Sequence, residues 1–289
     1  MSPHFSQEEV VRYSRNSVLA EIGWAGQKRL KSAGALIVGV GGIGSPAALY
    51  LAATGVGRIG IVDGDSVELS NLQRQVIFRT DDVRRVKVDC AQEAISALNP
   101  HCEVDTYHTR LGDAARVREI VRNYDVVIDG SDNFCTRFLV ADCCWIEGIP
   151  LVSASAVGFE GQLQVVIPTA GNPCYRCLIP EPEPESRIAT CSGQGILGGV
   201  VGVMGSLAVV EAVKLILGHD PDMAYRFLAY DGFHGRFITA ERVPDPECCL
   251  CGGPPPFADS AEQGGALRGS CQGTASFRNQ SGVSIPADP

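Results

Sequence analysis

A short strand that must turn sharply into a helix is the feature that most constrains how this chain can fold. The apolar run from Leu36 to Val40 leads into a G-x-G-x-x-G pattern formed by Gly39, Gly41 and Gly44. Glycines at this spacing permit a tight turn, and the free N–H groups of the helix that follows attract an anion. Ser45 and Pro46 suit the cap and first turn of that helix. The pattern therefore predicts a phosphate-binding turn in an α/β fold.

An acidic residue follows the glycines at the distance expected for a nucleotide site. A second predicted strand, Arg58 to Val62, leads to Asp63, which lies 19 residues after Gly44. A doubly wound fold places a carboxylate there to bind ribose hydroxyls. These residues alone leave two alternatives open, a purely structural strand-to-helix turn and a nicotinamide-dependent oxidoreductase.

A polar and cationic cluster comes soon after this acid. The motif SNLQRQ contains Ser70, Asn71, Gln73 and Arg74, and Lys87 follows 13 residues after Arg74. Two cations with neighbouring amides suit a triphosphate whose charge must be neutralised before an anionic nucleophile approaches. The alternative is a solvated charged loop before a predicted helix from residue 84 to 98. Because the chain contains no G-x-x-x-x-G-K-[ST] sequence, the lysine must come from this separate segment.

A third predicted strand ends in a second group of polar residues. Val126 to Asp129 is followed by Gly130, Ser131, Asp132 and Asn133. Ligands bind at the strand ends of an open parallel sheet, where an acid and an amide could hold Mg²⁺ and orient phosphates. The alternative is that Asp132 or Asn133 only caps the helix that begins at residue 134.

Four of the 12 cysteines form two C-x-x-C pairs with flanking proline and glycine turns. The pairs are Cys174 with Cys177 and Cys248 with Cys251. Two such pairs predict a closed, tetrahedral zinc site with a structural role, and a disulfide or free thiols are the alternatives. Cys249 lies between the members of the second pair and is an alternative ligand.

The most hydrophobic segment, from Gly198 to Leu217, is long enough to span a membrane. It contains Glu211 and Lys214, and Gly198, Gly202 and Ser206 recur every four residues. Small residues at this spacing let two backbones approach closely. We therefore predict a buried or dimer-facing helix and no membrane partner.

Composition limits the remaining choices. The net charge of −9 argues against nucleic acid as a partner. The first ten residues, MSPHFSQEEV, have neither a basic start nor an apolar core, so we expect a cytoplasmic chain with reduced thiols. Residues 253–289 are rich in Gly, Ser, Pro and Gln and are expected to form a disordered, low-complexity tail.

The motifs in this order resemble the ThiF/MoeB/HesA adenylyltransferases of the ubiquitin-activating superfamily. The resemblance runs from residue 12 to 252 and includes RYSRN, GVGGIGSPAALYLAATGVG, SNLQRQ, SDN, SASAVGFEGQL and both C-x-x-C pairs. It implies an enzyme that uses ATP and Mg²⁺ to adenylate the C-terminal glycine of a ubiquitin-like sulfur carrier. It also implies a zinc site that uses Cys248 rather than Cys249, and a sulfurtransferase or cysteine desulfurase as a further partner.

The resemblance also assigns roles to individual residues. It makes Gly42 and Asp63 contacts for the adenosine phosphate and the ribose. Asn71, Arg74 and Lys87 become triphosphate ligands, and Asp132 becomes the metal-linked acid. Arg15 would reach into the site of a partner subunit, which implies a homodimer. Cys191 would lie on a crossover loop near the carrier tail, with a covalent role or none.

Within this family two branches are open. The opening from Arg12 to Arg15, the run from Ser153 to Phe159 and the Pro-Glu loop at residues 180–185 favour the thiamine branch and a ThiS-like carrier. The alternative is a MoaD-like carrier for molybdopterin synthesis. A nicotinamide oxidoreductase and a non-catalytic carrier-binding scaffold are the rival classes.

The complete prediction is an α/β protein. Residues 1–252 are expected to form one adenylyltransferase domain with a Rossmann-like, doubly wound, mostly parallel sheet. Its C-terminal portion is expected to be antiparallel and pinned by the zinc knuckle.

Overall fold

The computed structural model describes residues 5–179, 195–219 and 222–252. In this part of the chain eight strands form one sheet in the order β3-β2-β1-β4-β5-β6-β7-β8. The strands are β1 (Gly34–Val38), β2 (Arg58–Val62), β3 (Glu103–Tyr107), β4 (Val126–Asp129), β5 (Leu151–Val157), β6 (Glu160–Val166), β7 (Arg226–Asp231) and β8 (Arg236–Glu241). The predicted tail, residues 253–289, lies outside the described residues.

Strand direction divides the sheet into two halves. Strands β3, β2, β1, β4 and β5 are parallel to one another. Strands β6, β7 and β8 continue the sheet in antiparallel order. The predicted fold is therefore confirmed, including its antiparallel C-terminal portion. Because β1 lies between β2 and β4, the chain reverses its direction of winding there, which is where such sheets bind ligands.

Helices cover both faces of the sheet. They are α1 (Gln7–Arg12), α2 (Ser14–Ser17), α3 (Gly23–Ser32), α4 (Gly44–Thr54), α5 (Lys87–Leu98), α6 (Ala114–Val121), α7 (Phe134–Glu147), α8 (Tyr175–Leu178) and α9 (Gly198–Leu217). One core contains residues of α4, α5 and α9, and the other contains residues of α6 and α7. Both faces of the central strands are thus shielded from water, as a parallel sheet requires.

Helix α9 is long and apolar enough to cross a membrane by length and composition. Met204, Ala208 and Ala212 are fully buried within the first core. The would-be Cβ of Gly205 lies 2.5 Å from the backbone oxygen of Ile43, so α9 packs closely against the start of α4. The predicted close approach of backbones occurs at Gly198, whose Cβ would lie 2.4 Å from the carbonyl oxygen of Gln73, whereas a Cβ on Gly202 would meet nothing within 4 Å.

Three local predictions were wrong. Strand β1 is Gly34–Val38 rather than 36–40, because the chain already turns at Gly39, whose φ is +82°. Ser45 does not cap α4, since its hydroxyl donates to the carbonyl of Val40. Helix α5 begins at Lys87 rather than at residue 84, because Arg84 has a left-handed φ of +76°.

Candidate functional site

The glycine turn is fixed by contacts of its own backbone. A Cβ on Gly44 would lie 2.0 Å from the carbonyl oxygen of Gly39, a contact that no side chain tolerates. Gly39 needs its positive φ and lies against the backbone at Gly130 and Ser131. Gly42 faces Val201 of α9 at 3.1 Å. Three of the four glycines are therefore required by the fold itself, and they bring β1, the turn after β4 and α9 together.

Gly41 has no such requirement. Its φ is not among the positive values, and the nearest atom to a Cβ there is Nε2 of Gln75, at an ordinary contact distance of 3.7 Å. The backbone at Gly41 therefore faces a space that the surrounding side chains do not fill. A phosphate approaching the free N–H groups at the start of α4 would enter this space, so the turn fits the nucleotide that the sequence predicts.

Asp63 lies at the carboxyl end of β2, beside the glycine turn. Its carboxylate accepts hydrogen bonds from the backbone N–H of Val40 at 3.0 Å and of Asp65 at 2.9 Å. Burial raises the pKa of this carboxyl, while Lys87 and the two N–H groups act in the opposite direction. Asp63 is thus held in place beside the turn, in the position predicted for the ribose ligand.

Lys87 is brought to the same place from the start of α5. Its Nζ lies 3.2 Å from Oδ2 of Asp65 and 3.9 Å from Oδ1 of Asp63. The lysine is 6% exposed, whereas Arg110, which also pairs with Asp65 at 2.8 Å, is almost fully exposed. A buried ammonium beside two acids offers a fixed positive charge next to the glycine turn. The sequence interpretation did not include Asp65, although the D-G-D spacing after β2 was visible.

The SNLQRQ segment forms a short helical turn at residues 69–71. Asn71 is buried, and its Oδ1 accepts from the N–H of Glu68 at 3.2 Å. Ser70 donates to the Glu68 carboxylate at 3.1 Å, and Nη1 of Arg74 donates to the carbonyl of Ser70 at 3.1 Å. Among the described residues the Arg74 guanidinium therefore bonds to a backbone carbonyl and to no carboxylate, which leaves its charge available to a ligand.

The Gln73 side chain contacts the segment that precedes α9. It is exposed, and its Nε2 lies 3.5 Å from the carbonyl oxygen of Ile196. A Cβ on Gly198 would lie 2.4 Å from the carbonyl oxygen of Gln73. The start of α9 thus fixes the SNLQRQ segment against the glycine turn, and Gln73 serves this contact.

The turn after β4 holds the predicted acid and amide. Asn133 caps α7, because its Oδ1 accepts from the N–H of Thr136 at 2.9 Å. The capping alternative therefore holds for Asn133, while Asp132 is exposed and does not cap the helix. Asp132 is the residue of this turn whose oxygens suit Mg²⁺.

Arg137 was missed by the sequence analysis. It is 8% exposed, and its Nη2 donates to the carbonyl oxygen of Ser131 and, at 3.1 Å, to that of Ala154. The guanidinium thus ties the turn after β4 to β5 and fixes the backbone next to Asp132. Its position four residues after Asn133, on the first turn of a helix, is the signal that was available.

The four cysteines of the two C-x-x-C pairs come together in one cluster. Their sulfur atoms all lie within 4.8 Å of one another, with Sγ separations of 3.8 Å for Cys174 and Cys177, 3.5 Å for Cys174 and Cys248, and 3.2 Å for Cys177 and Cys251. A zinc ion with bonds of about 2.3 Å places its sulfur ligands about 3.8 Å apart. The donor set and its spacing fit zinc, and Cys248 rather than Cys249 belongs to the cluster.

The surroundings of this cluster indicate a structural role. Arg242 is 4% exposed and donates to the carbonyl oxygens of Cys174 at 2.9 Å and Val165 at 2.8 Å. Leu250 and Trp145 pack against the cysteines. The cluster therefore fastens the end of the described chain to the sheet. Elsewhere, burial raises the pKa of the Cys102 and Cys143 thiols to about 12, so both stay protonated at neutral pH.

Of the remaining predicted residues, Arg15 does not join the site of its own chain. Cys191 lies outside the described residues. Arg15 is exposed on α2, whose neighbour Asn16 donates to the carbonyl of Thr54 at 3.1 Å. Thr54 ends α4 and Gly44 begins it, so α2 lies about 16 Å from the glycine turn at 1.5 Å per residue.

The chain is similar in sequence to known proteins over most of its length. The model of the ThiF family matches residues 13–251. The chain is 46% identical over 255 residues to the adenylyltransferase and sulfurtransferase MOCS3 of Bos taurus, with 88% of this chain and 56% of that protein covered. For MOCS3 of Culex quinquefasciatus the identity is 44% over 247 residues, with 85% and 56% covered. The chain thus spans about half the length of these curated relatives.

Solved structures share the architecture. The crystal structure of PaaA superposes with a TM-score of 0.73 and 26% identity, covering 85% of this chain and 77% of that one. Escherichia coli MccB with ATP gives a TM-score of 0.73 at 23% identity, covering 84% and 75%. The MccB likeness concerns the fold alone.

Proposed function

The chain belongs to the ThiF family, and we propose from this membership that it uses ATP to adenylate the C-terminal carboxylate of a ubiquitin-like carrier protein. One observation carries the proposal: the glycine turn brings Asp63, Lys87, the SNLQRQ segment and the turn that holds Asp132 to one edge of the sheet. A nicotinamide cofactor does not require the positive charges of Lys87 and Arg74.

The chemistry needs charge and position more than a protein nucleophile. An oxygen of the carrier's carboxylate attacks the α-phosphorus, the bond from that phosphorus to the bridging oxygen breaks, and pyrophosphate leaves with that electron pair. Because the carboxylate is already ionised at neutral pH, no general base is required. Lys87 and Arg74 offset the repulsion between the two anions, and the backbone at Gly41 orients the phosphates.

Two metals belong to the proposal. Asp132 would hold Mg²⁺, which neutralises phosphate charge when bound. The four clustered cysteines would hold a structural Zn²⁺, as their spacing and sulfur donors favour.

We assign the carrier to the MoaD-like rather than the ThiS-like branch. Residues 153–159 and the Pro-Glu loop led the sequence analysis toward the thiamine branch, but the MOCS3 relatives favour the molybdopterin alternative. The names of those relatives also include sulfurtransferase activity. For this chain we place the sulfur donor, a sulfurtransferase or cysteine desulfurase, among the partners.

The edge of the sheet that carries the glycine turn, Asp63, Lys87 and the turn after β4 is called the nucleotide edge. A surface beside this edge suits a protein substrate. Val157, Phe159, Glu160, Asp231 and Phe233 line a pocket of about 390 Å³ between the β5–β6 and β7–β8 turns. Since β5 runs parallel to β4, this pocket opens at the same edge of the sheet as the turn after β4. The exposed aromatic rings there are where we expect the carrier to dock, with its tail directed toward the phosphates.

We further propose a homodimer in which Arg15 serves the partner's site. Arg15 lies beyond the far end of α4 from its own glycine turn, so it cannot act there. Val18 and Leu19 beside it are 77% and 50% exposed, and Val210 of α9 is 54% exposed. Covering these apolar side chains with a second copy would stabilise a dimer.

ATP–pyrophosphate exchange tests the reaction. Exchange is expected with a MoaD-like carrier that ends in Gly-Gly and not with the same carrier lacking its last glycine. Arg74→Ala and Lys87→Ala should each reduce exchange by about 10²-fold or more with the fold intact, because each removes a charge that the transition state needs. Arg110→Ala is the matched control, since its exposed guanidinium pairs only with Asp65 among the residues that the structure describes. Unchanged exchange in the Arg74 and Lys87 variants would reject the assignment.

Mixing two inactive variants tests the role of Arg15. A dimer with one Arg15→Ala subunit and one Lys87→Ala subunit contains one complete site. Random mixing should therefore restore about a quarter of the wild-type exchange if Arg15 acts across the dimer. No recovery from a mixture shown to exchange subunits would contradict this role.

A further inference from the structure

Tyr175 lies between the two cysteines of the first C-x-x-C pair, and its side chain packs on helix α7. It is 2% exposed and belongs to the core that contains residues of α6 and α7. Its ring meets that of Phe138 edge-on, with the centroids 5.3 Å apart and an angle of 87° between the planes. Phe138 lies near the start of α7, so the tyrosine reaches the end of this helix that follows the turn after β4.

The neighbouring residue, Arg176, fixes this arrangement. Its Nε and Nη2 donate to the two oxygens of the Asp142 carboxylate at 2.8 Å and 2.7 Å, and its guanidinium lies 4.9 Å from the centroid of the Phe138 ring. Asp142 is 2% exposed, so this two-point ion pair is shielded from water. The peptide between the two cysteines is therefore held on α7 by its own side chains, and this support does not depend on the sulfur atoms.

The Tyr175 hydroxyl contacts Arg137, the buried arginine of α7. Burial raises the pKa of this hydroxyl, while the charge of Arg137 and hydrogen bonds to Arg137 and Ser153 act in the opposite direction. A guanidinium has only donors, so the phenolic oxygen accepts from Arg137, and its own proton is available to Ser153. Arg137 is thus held by this hydroxyl and by the carbonyl oxygens of Ser131 and Ala154.

Arg137 in turn fixes the peptide unit directly before Asp132. The carbonyl that it binds belongs to Ser131, and the same peptide plane carries the N–H of Asp132. The N–H of Ser131 donates to the Asp129 carboxylate at 3.0 Å, so the turn is held on both sides of this residue. The direction of the exposed Asp132 side chain therefore depends on where the Arg137 guanidinium lies.

We propose that Tyr175 is a positioning residue for the adenylation reaction, because its hydroxyl keeps Arg137 on the Ser131 carbonyl and thereby orients Asp132. This inference rests on the proposed function, in which Asp132 holds Mg²⁺. Groups that orient a metal ligand from behind affect how tightly the metal binds. The first C-x-x-C pair then contributes more than two sulfur atoms, since a residue between its cysteines supports the nucleotide edge.

Two variants that each lose one buried hydroxyl test this role. Tyr175→Phe removes the hydroxyl and keeps the ring. Tyr124→Phe is the matched control, because Tyr124 is 3% exposed in the same core and its hydroxyl donates to Asp105 of β3 at 2.8 Å. Each variant should lower the midpoint of thermal unfolding by about 2–4 °C, so stability alone does not distinguish them.

Amide hydrogen exchange of the full chain without nucleotide should distinguish the variants. In the wild type the N–H groups of Gly130 and Ser131 are both hydrogen-bonded. Loss of the Tyr175 hydroxyl loosens this turn, so these two amides should exchange about 10-fold faster in Tyr175→Phe, as one lost hydrogen bond predicts. In Tyr124→Phe they should exchange within about twofold of the wild type.

The magnesium requirement gives a second readout. In ATP–pyrophosphate exchange with the carrier, the Mg²⁺ concentration for half-maximal activity should rise about 10-fold for Tyr175→Phe, because Asp132 is less well oriented. Saturating Mg²⁺ should restore most of the wild-type rate, and the KM for the carrier should stay the same. Tyr124→Phe should keep the wild-type requirement.

A folded Tyr175→Phe variant with wild-type amide exchange at this turn, or with an unchanged magnesium requirement, would overturn the inference and leave the proposed function intact. A wild-type chain without ATP–pyrophosphate exchange would instead remove the proposed function, and with it the role of Asp132. If Tyr175→Phe does not fold, a crystal structure of the wild type decides. A hydroxyl within hydrogen-bond distance of the Arg137 guanidinium is the expected result, and a hydroxyl turned away from it would refute the inference.

Discussion

The nucleotide edge and the cysteine cluster are assembled in opposite ways. At the nucleotide edge, residues from five segments meet because backbone packs against backbone at Gly39, Gly44, Gly198 and Gly205. At the cysteine cluster, two segments meet through the sulfur atoms of four side chains. The first region packs closely because glycines have no side chain, whereas the second region is held together by the sulfur atoms of cysteine side chains.

This difference predicts how a substitution in each region affects stability and ligand binding. A change at the nucleotide edge that adds even one methyl group should disturb the fold or the ligand, depending on which glycine receives it. A change at the cysteine cluster should cost stability without altering the phosphate site, because the cluster lies in the antiparallel half of the molecule.

The largest effect is expected when single substitutions of two glycines in the turn are compared. Gly44→Ala places a Cβ 2.0 Å from the Gly39 oxygen and should cost about 3 kcal/mol of unfolding free energy or more. Gly41→Ala, with its nearest neighbour at 3.7 Å, should cost less than about 1 kcal/mol yet weaken ATP binding. Urea unfolding and titration with an ATP analogue measure both quantities. Similar losses of stability in the two variants would show that Gly41 is also a packing residue.

The next effect concerns the cysteine cluster. Cys177→Ser or removal of zinc with a chelator should lower the unfolding free energy by about 2 kcal/mol or more, because the metal stabilises the folded form. The affinity of the remaining folded protein for ATP should change by less than about threefold, since the two regions share no residues. Thermal unfolding, metal analysis and titration test this separation. A large loss of ATP affinity in the folded variant would show that the cysteine cluster also supports nucleotide binding, and the two regions would then not be separate.

A smaller effect links Lys87 to the pH dependence of stability. Burial raises the pKa of Asp63 and Lys87 opposes that rise, so Lys87→Met should raise this pKa further. A carboxyl with a raised folded pKa favours folding below its unfolded pKa and loses that contribution as pH rises through the folded value. The variant should therefore lose more stability than the wild type between acidic and neutral pH, by about 1 kcal/mol. Urea unfolding across this range, with the Asp63 carboxyl followed by NMR, is the measurement. If the free energies of unfolding of the wild type and Lys87→Met change with pH in parallel, Lys87 does not affect the pKa of Asp63.

The smallest effect tests the turn that precedes Lys87. Arg84 is the described non-glycine residue with positive φ, and Arg84→Gly should raise the unfolding free energy by about 0.5–1 kcal/mol. Arg84→Ala removes the side chain but keeps the strained backbone, so it should not show this gain. If both variants gain equally, the arginine side chain rather than the backbone is the source of strain.

Much of the parallel half was predictable from the sequence, because its signals are local. The G-x-G-x-x-G spacing and Asp63 depend on strands and turns that the nearby residues specify, and the two C-x-x-C pairs identify their own cluster. Arg137 was not predictable in this way, since its importance comes from burial against the backbone at Ser131 and Ala154. The start of α5 was misplaced because nothing in the type of residue at position 84 indicates a left-handed backbone.

The most direct test of the central claim is the mass of a carrier protein after incubation with this chain, ATP and Mg²⁺. Intact-mass spectrometry should detect a MoaD-like carrier heavier by one adenylyl group, with pyrophosphate released, and Lys87→Ala should yield no such species. A carrier that stays unmodified while the folded wild-type chain binds ATP would contradict the account.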